Sequence, residues 1–156
     1  KKDPDFAPLK VFDIIGYAKT ASSPNEAKPL LFLDSNHEVI INRNNLLPSA
    51  RNFIKDNKDL IPPISCKFNL SGKLVRDKMK TILEELYNNK KILDHGMEVG
   101  KELAYVLSGG DTDLNKEVTE DQMYKLELNS FMNLVQSKKT QERIVHTLKT
   151  GKPLIN

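Results

Sequence analysis

The sequence predicts a mainly α-helical chain, and three observations carry that expectation. Apolar residues recur at helical spacing in one stretch after another. Capping residues and glycine or proline stops punctuate those stretches. Only residues 37–41, "HEVII", have the β-branched composition of a strand. An average α/β chain would show far more strand than this.

Taken in order, Leu9, Phe12, Ile15 and Ala18 form a stripe over residues 8–19, with Pro8 suited to a first helical turn. "SPNE" at 23–26 is a capping box, with Pro24 at the first helical position and Pro29 keeping the helix short. The short strand is expected near 37–41. Leu46, Leu47, Ala50, Phe53 and Ile54 then follow an amphipathic helical pattern. Pro48 fits that helix only in its first turn, so Asn44 or Asn45 should cap it. "KDLIPPIS" at 58–65 reads as an extended linker, because a residue before proline is driven out of the helical region.

Beyond the linker the helices lengthen. Val75, Met79, Ile82, Leu83 and Leu86 share one face of 73–88. Helix 92–108 places Gly96, Gly100 and Ala104 four apart. Glycine costs about 1 kcal/mol per helical position relative to alanine, so the repeat predicts another backbone passing close to this face. "SGGD" at 108–111 supplies the stop. Thr119 and Gln122 make a second capping box, opening a helix that should bury Met123, Leu126, Phe131, Leu134 and Val135. A last helix is expected from Thr140, burying Ile144, Val145 and Leu148, ended by Gly151 and kept from resuming by Pro153. The organisation is a single helical domain or fragment over 1–156, with helices in 1–57, a linker over 58–70 and a helical bundle over 71–156.

Composition narrows the function classes. With 24 Lys and Arg against 21 Asp and Glu in 156 residues, the net charge is +3. The lysines are dispersed, so a solvated surface is expected and a nucleic-acid partner is not. No apolar stretch approaches the ~20 residues that span a bilayer, so no membrane span is expected. Residues 1–5 do not open like a signal peptide. The lone Cys66 fits a reducing compartment, and the expected location is cytoplasmic.

The sequence carries neither G-x-G-x-x-G nor G-x-x-x-x-G-K-[ST]. "SGKL" at 71–74 is too short a fragment to cradle a phosphate. His37, His95 and His146 lack partners at metal-ligand spacing, so no metal site is expected. "DTDLN" at 111–115 imitates the start of a calcium loop but has Lys116 at its sixth position and Gln122 at its twelfth. The neighbouring acids Glu84–Glu85 and Glu120–Asp121 point in different directions on a helix and are not poised as an acid–base pair. No catalytic residue is assigned.

"GKELAYVLSGGD" (100–111), "VTEDQMYKLELNSFMNLV" (118–135) and "TQERIVHTLKTGKPLIN" (140–156) occur in that order. Together they resemble the C-terminal end of bacterial fatty-acid oxidation proteins that join a 3-hydroxyacyl-CoA dehydrogenase to an enoyl-CoA hydratase of the crotonase superfamily. "AKTASSPNEAK" at 18–28 resembles the exit of a crotonase domain from its β-rich core into its terminal helices. The chain departs from that pattern at Pro29, at Leu31, where a glycine usually ends the helix, and at Ile155, where arginine is frequent.

The resemblance implies the helical C-terminal portion of a crotonase-like domain. Its functions would be packing, oligomer contacts with a second copy or with the remainder of the enzyme, and closure over an acyl-CoA substrate. The family's catalytic residues and its NAD-binding domain lie in segments without a match here, so no cofactor is expected in this chain and NAD is implied only for the parent enzyme. The same resemblance places Lys152, with Lys149 one turn earlier, as CoA contacts; lysines complementing a helix dipole are the competing account. A free-standing helical interaction module is the alternative reading.

Overall fold

The structure, a computed structural model, describes residues 5–57, 66–114 and 116–156. It divides into two compact units, one formed by residues 1–18 with 65–156 and the other by residues 19–64. The expected linker at 58–65 lies outside the described residues, and Cys66 to Leu70, assigned to the same linker, contain a strand instead.

The larger unit is built on five helices: α1 (Phe6–Gly16), α4 (Lys73–Asn88), α5 (Asp94–Leu107), α6 (Glu120–Val135) and α7 (Lys138–Thr150). Between α1 and α4 in sequence come α2 (Pro24–Ala27) and α3 (Leu46–Asp56), both in the smaller unit. Helix α1 packs on α4 and α5, α5 on α4 and α6, and α6 on α7. The packing therefore joins α1 to the bundle of 71–156 across the boundary drawn at residue 57. At its centre lie Phe12, Val75, Met79, Leu83 and Ala104, flanked by Leu9, Ile92, Met97, Leu103 and Leu107. Parts of the expected stripes of the first, fourth and fifth helices meet here, while Ile15, Ala18, Ile82 and Leu93 of those stripes are exposed and α1 buries Ile14 instead.

Gly100 is buried where α5 meets α4, and a Cβ there would collide with the Leu83 side chain. The glycine spacing predicted a close helix contact here, and α4 provides it, but with the Leu83 side chain rather than with its backbone. Gly96 is different, since the atoms nearest its missing Cβ belong to Ile92, one turn away in the chain.

Two three-residue strands, β1 (Lys67–Asn69) and β2 (Glu117–Thr119), pair antiparallel with Phe68 opposite Val118. The strand expected at 37–41 does not form; that segment joins no sheet. Its first residue is drawn into a local turn instead. The Asn36 N–H donates to Asp34 Oδ1 at 2.7 Å, and His37 Nδ1 lies 2.9 Å from the same oxygen. Local side-chain bonds of this kind compete with ladder pairing, and among the described residues of the smaller unit no other strand is available to pair with.

Helix ends follow the local rules at some positions and depart from them at others. Thr119 and Gln122 close a reciprocal capping box at the start of α6. At α2, Ser23 accepts from the Glu26 N–H, but the Glu26 carboxylate bonds the Ser22 N–H and hydroxyl rather than Ser23. Pro48 occupies the first turn of α3, where its missing N–H is harmless, although the Asn45 side chain does not cap; Asn42 caps the preceding 3-10 turn, Arg43–Asn45. Leu31 takes the left-handed conformation at φ +63° that closes α2, with the Phe32 N–H reaching the Ala27 carbonyl. Glycine serves that role without strain; here leucine bears it, at the position where the family resemblance places glycine.

Candidate functional site

Three places in the larger unit gather polar side chains, and each was approached by a different residue in the sequence.

The first surrounds the chain's tail. Helix α7 begins at Lys138, two residues before the expected start at Thr140, with Ser137 as its N-cap and Gly151 closing it in the left-handed conformation, φ +68°. The tail then folds back along α7. Arg143 Nε donates to Asn156 Oδ1 at 2.8 Å, and Asn156 Nδ2 donates to the Lys139 carbonyl and to Glu142 Oε2, each at 3.1 Å. The tail is thus held by polar bonds rather than by the apolar docking expected of Ile144, Val145 and Leu148. All three are exposed, Leu148 to 83 %. The reason is geometric: α7 touches the bundle through α6, and its inward contact includes Thr140.

Lys138, Gln141, Glu142, Val145, His146, Lys149 and Leu154 line an open groove of about 450 Å³ beside this tail. Lys149 is therefore brought to a concave surface together with Lys138. Lys152 is not among its lining residues. It is exposed on the turn after Gly151, its N–H donating to Thr150 Oγ1 at 3.1 Å and its carbonyl accepting from the Thr147 and Thr150 hydroxyls.

The second place is His95, which sequence spacing had passed over. Its ring is fully buried at the start of α5. Nδ1 lies 2.7 Å from Glu98 Oε2, and Nε2 lies 3.0 Å from Thr140 Oγ1 on α7. Thr140, expected to cap α7, sits inside it and bonds across to α5. The signal in the sequence was partial: Glu98 stands at i+3 from His95, but Thr140 is 45 residues away.

The third is a passage from strand to helix. β1 leads through Ser71, Gly72 and Lys73 into α4, the place where a phosphate cradle would have to sit. A carboxylate already occupies it. Asp5 is buried, accepts the Ser71 hydroxyl and pairs with Lys78 Nζ at 2.6 Å. The Lys78 ammonium first, and then the Ser71 hydroxyl, hold the Asp5 carboxyl below the usual range, against an opposing effect of burial. The only described sheet is a short antiparallel pair, whereas a dinucleotide site requires parallel strands and a glycine-rich turn. No group of three or more His, Cys, Asp or Glu side chains among the described residues is arranged to hold a metal ion.

Over an alignment of 156 positions that covers 99 % of the chain, it is 30 % identical to a Bacillus subtilis (strain 168) protein named "Probable 3-hydroxyacyl-CoA dehydrogenase". The chain is related to a segment of that protein. The match spans 20 % of the longer protein's length, so it concerns a segment and not the whole. No family model matches the chain, and no solved structure matches it. No helix among the described residues is long and apolar enough to cross a membrane.

Proposed function

We propose that this chain is a helical packing segment of a fatty-acid oxidation enzyme of the 3-hydroxyacyl-CoA dehydrogenase kind, acting on acyl-CoA thioesters through the remainder of that enzyme rather than through residues of its own. The observation that carries this reading is the open apolar surface of the last two helices. Tyr124, Leu128, Phe131 and Met132 on α6, and Val145 and Leu148 on α7, are all substantially exposed. Apolar surface of this extent on a small unit is the mark of an interface, and the Bacillus relative is about five times as long as the segment it shares.

The motif order of the tail supports the finer reading, a segment that closes a crotonase-like enoyl-CoA hydratase next to the dehydrogenase. In that setting Lys149, in its groove with Lys138, and Lys152, exposed on the turn, offer cations to the phosphates of CoA. An interaction module with no enzymatic partner is the second reading; the same exposed surface would then serve an unrelated protein.

A segment exchange separates the two. Replacing the matching fifth of the Bacillus protein by this chain should preserve NAD-dependent oxidation of a 3-hydroxyacyl-CoA, whereas deleting that fifth should abolish it or leave the protein insoluble. A deletion that retains full activity would show that the segment is dispensable and overturn the packing role.

A further inference from the structure

A second groove, of about 510 Å³, opens between α4, α5 and α6. Three helices each present it with a pair of side chains one turn apart: Arg76 and Lys80 from α4, Lys101 and Tyr105 from α5, Asn129 and Asn133 from α6. Residues at i and i+4 lie on the same helix face, so each pair is directed to the groove as a unit. Among the lining residues three cations stand with one carboxylate, Glu102. Two of the cations also face acids outside the lining, Arg76 with Asp111 at 3.0 Å and Lys80 with Asp77 at 3.9 Å, which leaves Lys101 as the one without a described ion pair.

Arg76 is the centre of the arrangement. Its side chain is only 14 % exposed, its guanidinium lies 5.3 Å from the centre of the Tyr105 ring, and Nη2 pairs with Asp111 at 3.0 Å. Nη1 donates to the Gly110 carbonyl at 3.5 Å. These contacts fix the plane of the guanidinium, yet Nε is buried with no hydrogen-bond partner among the described residues. A buried donor left unpaired is costly and calls for an explanation. Lys101 has no ion-pair partner among the described residues, and the carboxamides of Asn129 and Asn133 make no side-chain bond there.

We propose that this groove binds a small polyanion through phosphate or carboxylate oxygens. Arg76 places a fixed guanidinium charge at the groove, with Nη1 and Nη2 shared with the Gly110 carbonyl and Asp111 until an oxyanion competes for them. Lys80 from α4 and Lys101 from α5 add point charges, and the asparagines of α6 donate to remaining oxygens. This inference is independent of the enzyme to which the chain is assigned, and it concerns different residues from Lys149 and Lys152.

Calorimetric titration of the purified chain with inorganic pyrophosphate and with citrate, at constant ionic strength, tests it and separates phosphate from carboxylate. At least one anion should bind saturably at one site, and Lys101→Gln should weaken that binding about tenfold, as loss of a charged hydrogen bond predicts. Arg76→Lys should weaken it further; if that variant melts early, Lys101→Gln, at a side chain with no described ion pair, decides alone. Binding of pyrophosphate alone assigns a phosphate ligand, and binding of citrate alone assigns a carboxylate. Absence of saturation for both, or equal affinity in wild type and Lys101→Gln, overturns the proposal.

Discussion

His95 is the residue whose role a linear reading misses most completely. A lone histidine with no partner at metal spacing gave no reason to single it out, and its principal contact, Thr140, arrives from another helix. The pair matters because a buried ring nitrogen must be satisfied. Thr140→Val keeps the shape and β-branching of the side chain while removing the hydroxyl. It should cost about 1–3 kcal/mol by leaving Nε2 unpaired, read as a lower urea midpoint at unchanged slope. Glu98→Gln should cost less, because the Glu98 side chain is 61 % exposed and water can replace it. Equal midpoints for Thr140→Val and wild type would mean that the α5–α7 bond carries no energy. Asp5 makes the same point about legibility. Its partners Ser71 and Lys78 stand 66 and 73 residues away, so nothing in the local sequence marks it as the anchor between α1 and α4.

Elements were legible where their determinants are local. The Thr119–Gln122 capping box and the Gly151 stop are each written within a few residues and appear where the sequence places them. The stripes of α4 and α5 do so at Val75, Met79, Leu83 and Ala104, though not at Ile82 and Leu93, which are exposed. The strands were not, because β1 and β2 are three residues long and owe their existence to a pairing some 50 positions apart. "HEVII" had the composition but lacked a neighbour, and β propensity without a partner does not make a sheet. Glycine spacing in α5 was half informative: it marked Gly100 as a helix contact, while Gly96 faces only Ile92, in the segment just before the helix. Gly100→Leu should therefore overpack the α4–α5 contact against Leu83, costing about 1–3 kcal/mol. A thermal melt compares it with wild type, and an unchanged or raised midpoint would show that the two helices are free to separate there.

Over the whole chain, the apolar residues of the last helices decide between two kinds of stability. Ile144, Val145 and Leu148 read as core in the sequence because an amphipathic period says that a face is buried without saying against what. In this chain that face is open, with Leu148 at 83 % exposure. The energy of truncating a side chain follows the surface it has removed from water. Leu148→Ala should therefore change the stability of the isolated chain by no more than about 0.5 kcal/mol, as exposed substitutions do. If the remainder of an enzyme covers α7, the same substitution placed in the segment exchange with the Bacillus protein should cost about 2–5 kcal/mol, the range for a buried leucine. Melting both proteins with and without the substitution supplies the comparison. A large loss in the isolated chain would mean that α7 is already buried within it. Silence in both backgrounds would mean that this face contacts nothing in the longer enzyme, and the packing role would then have to rest on α6 alone.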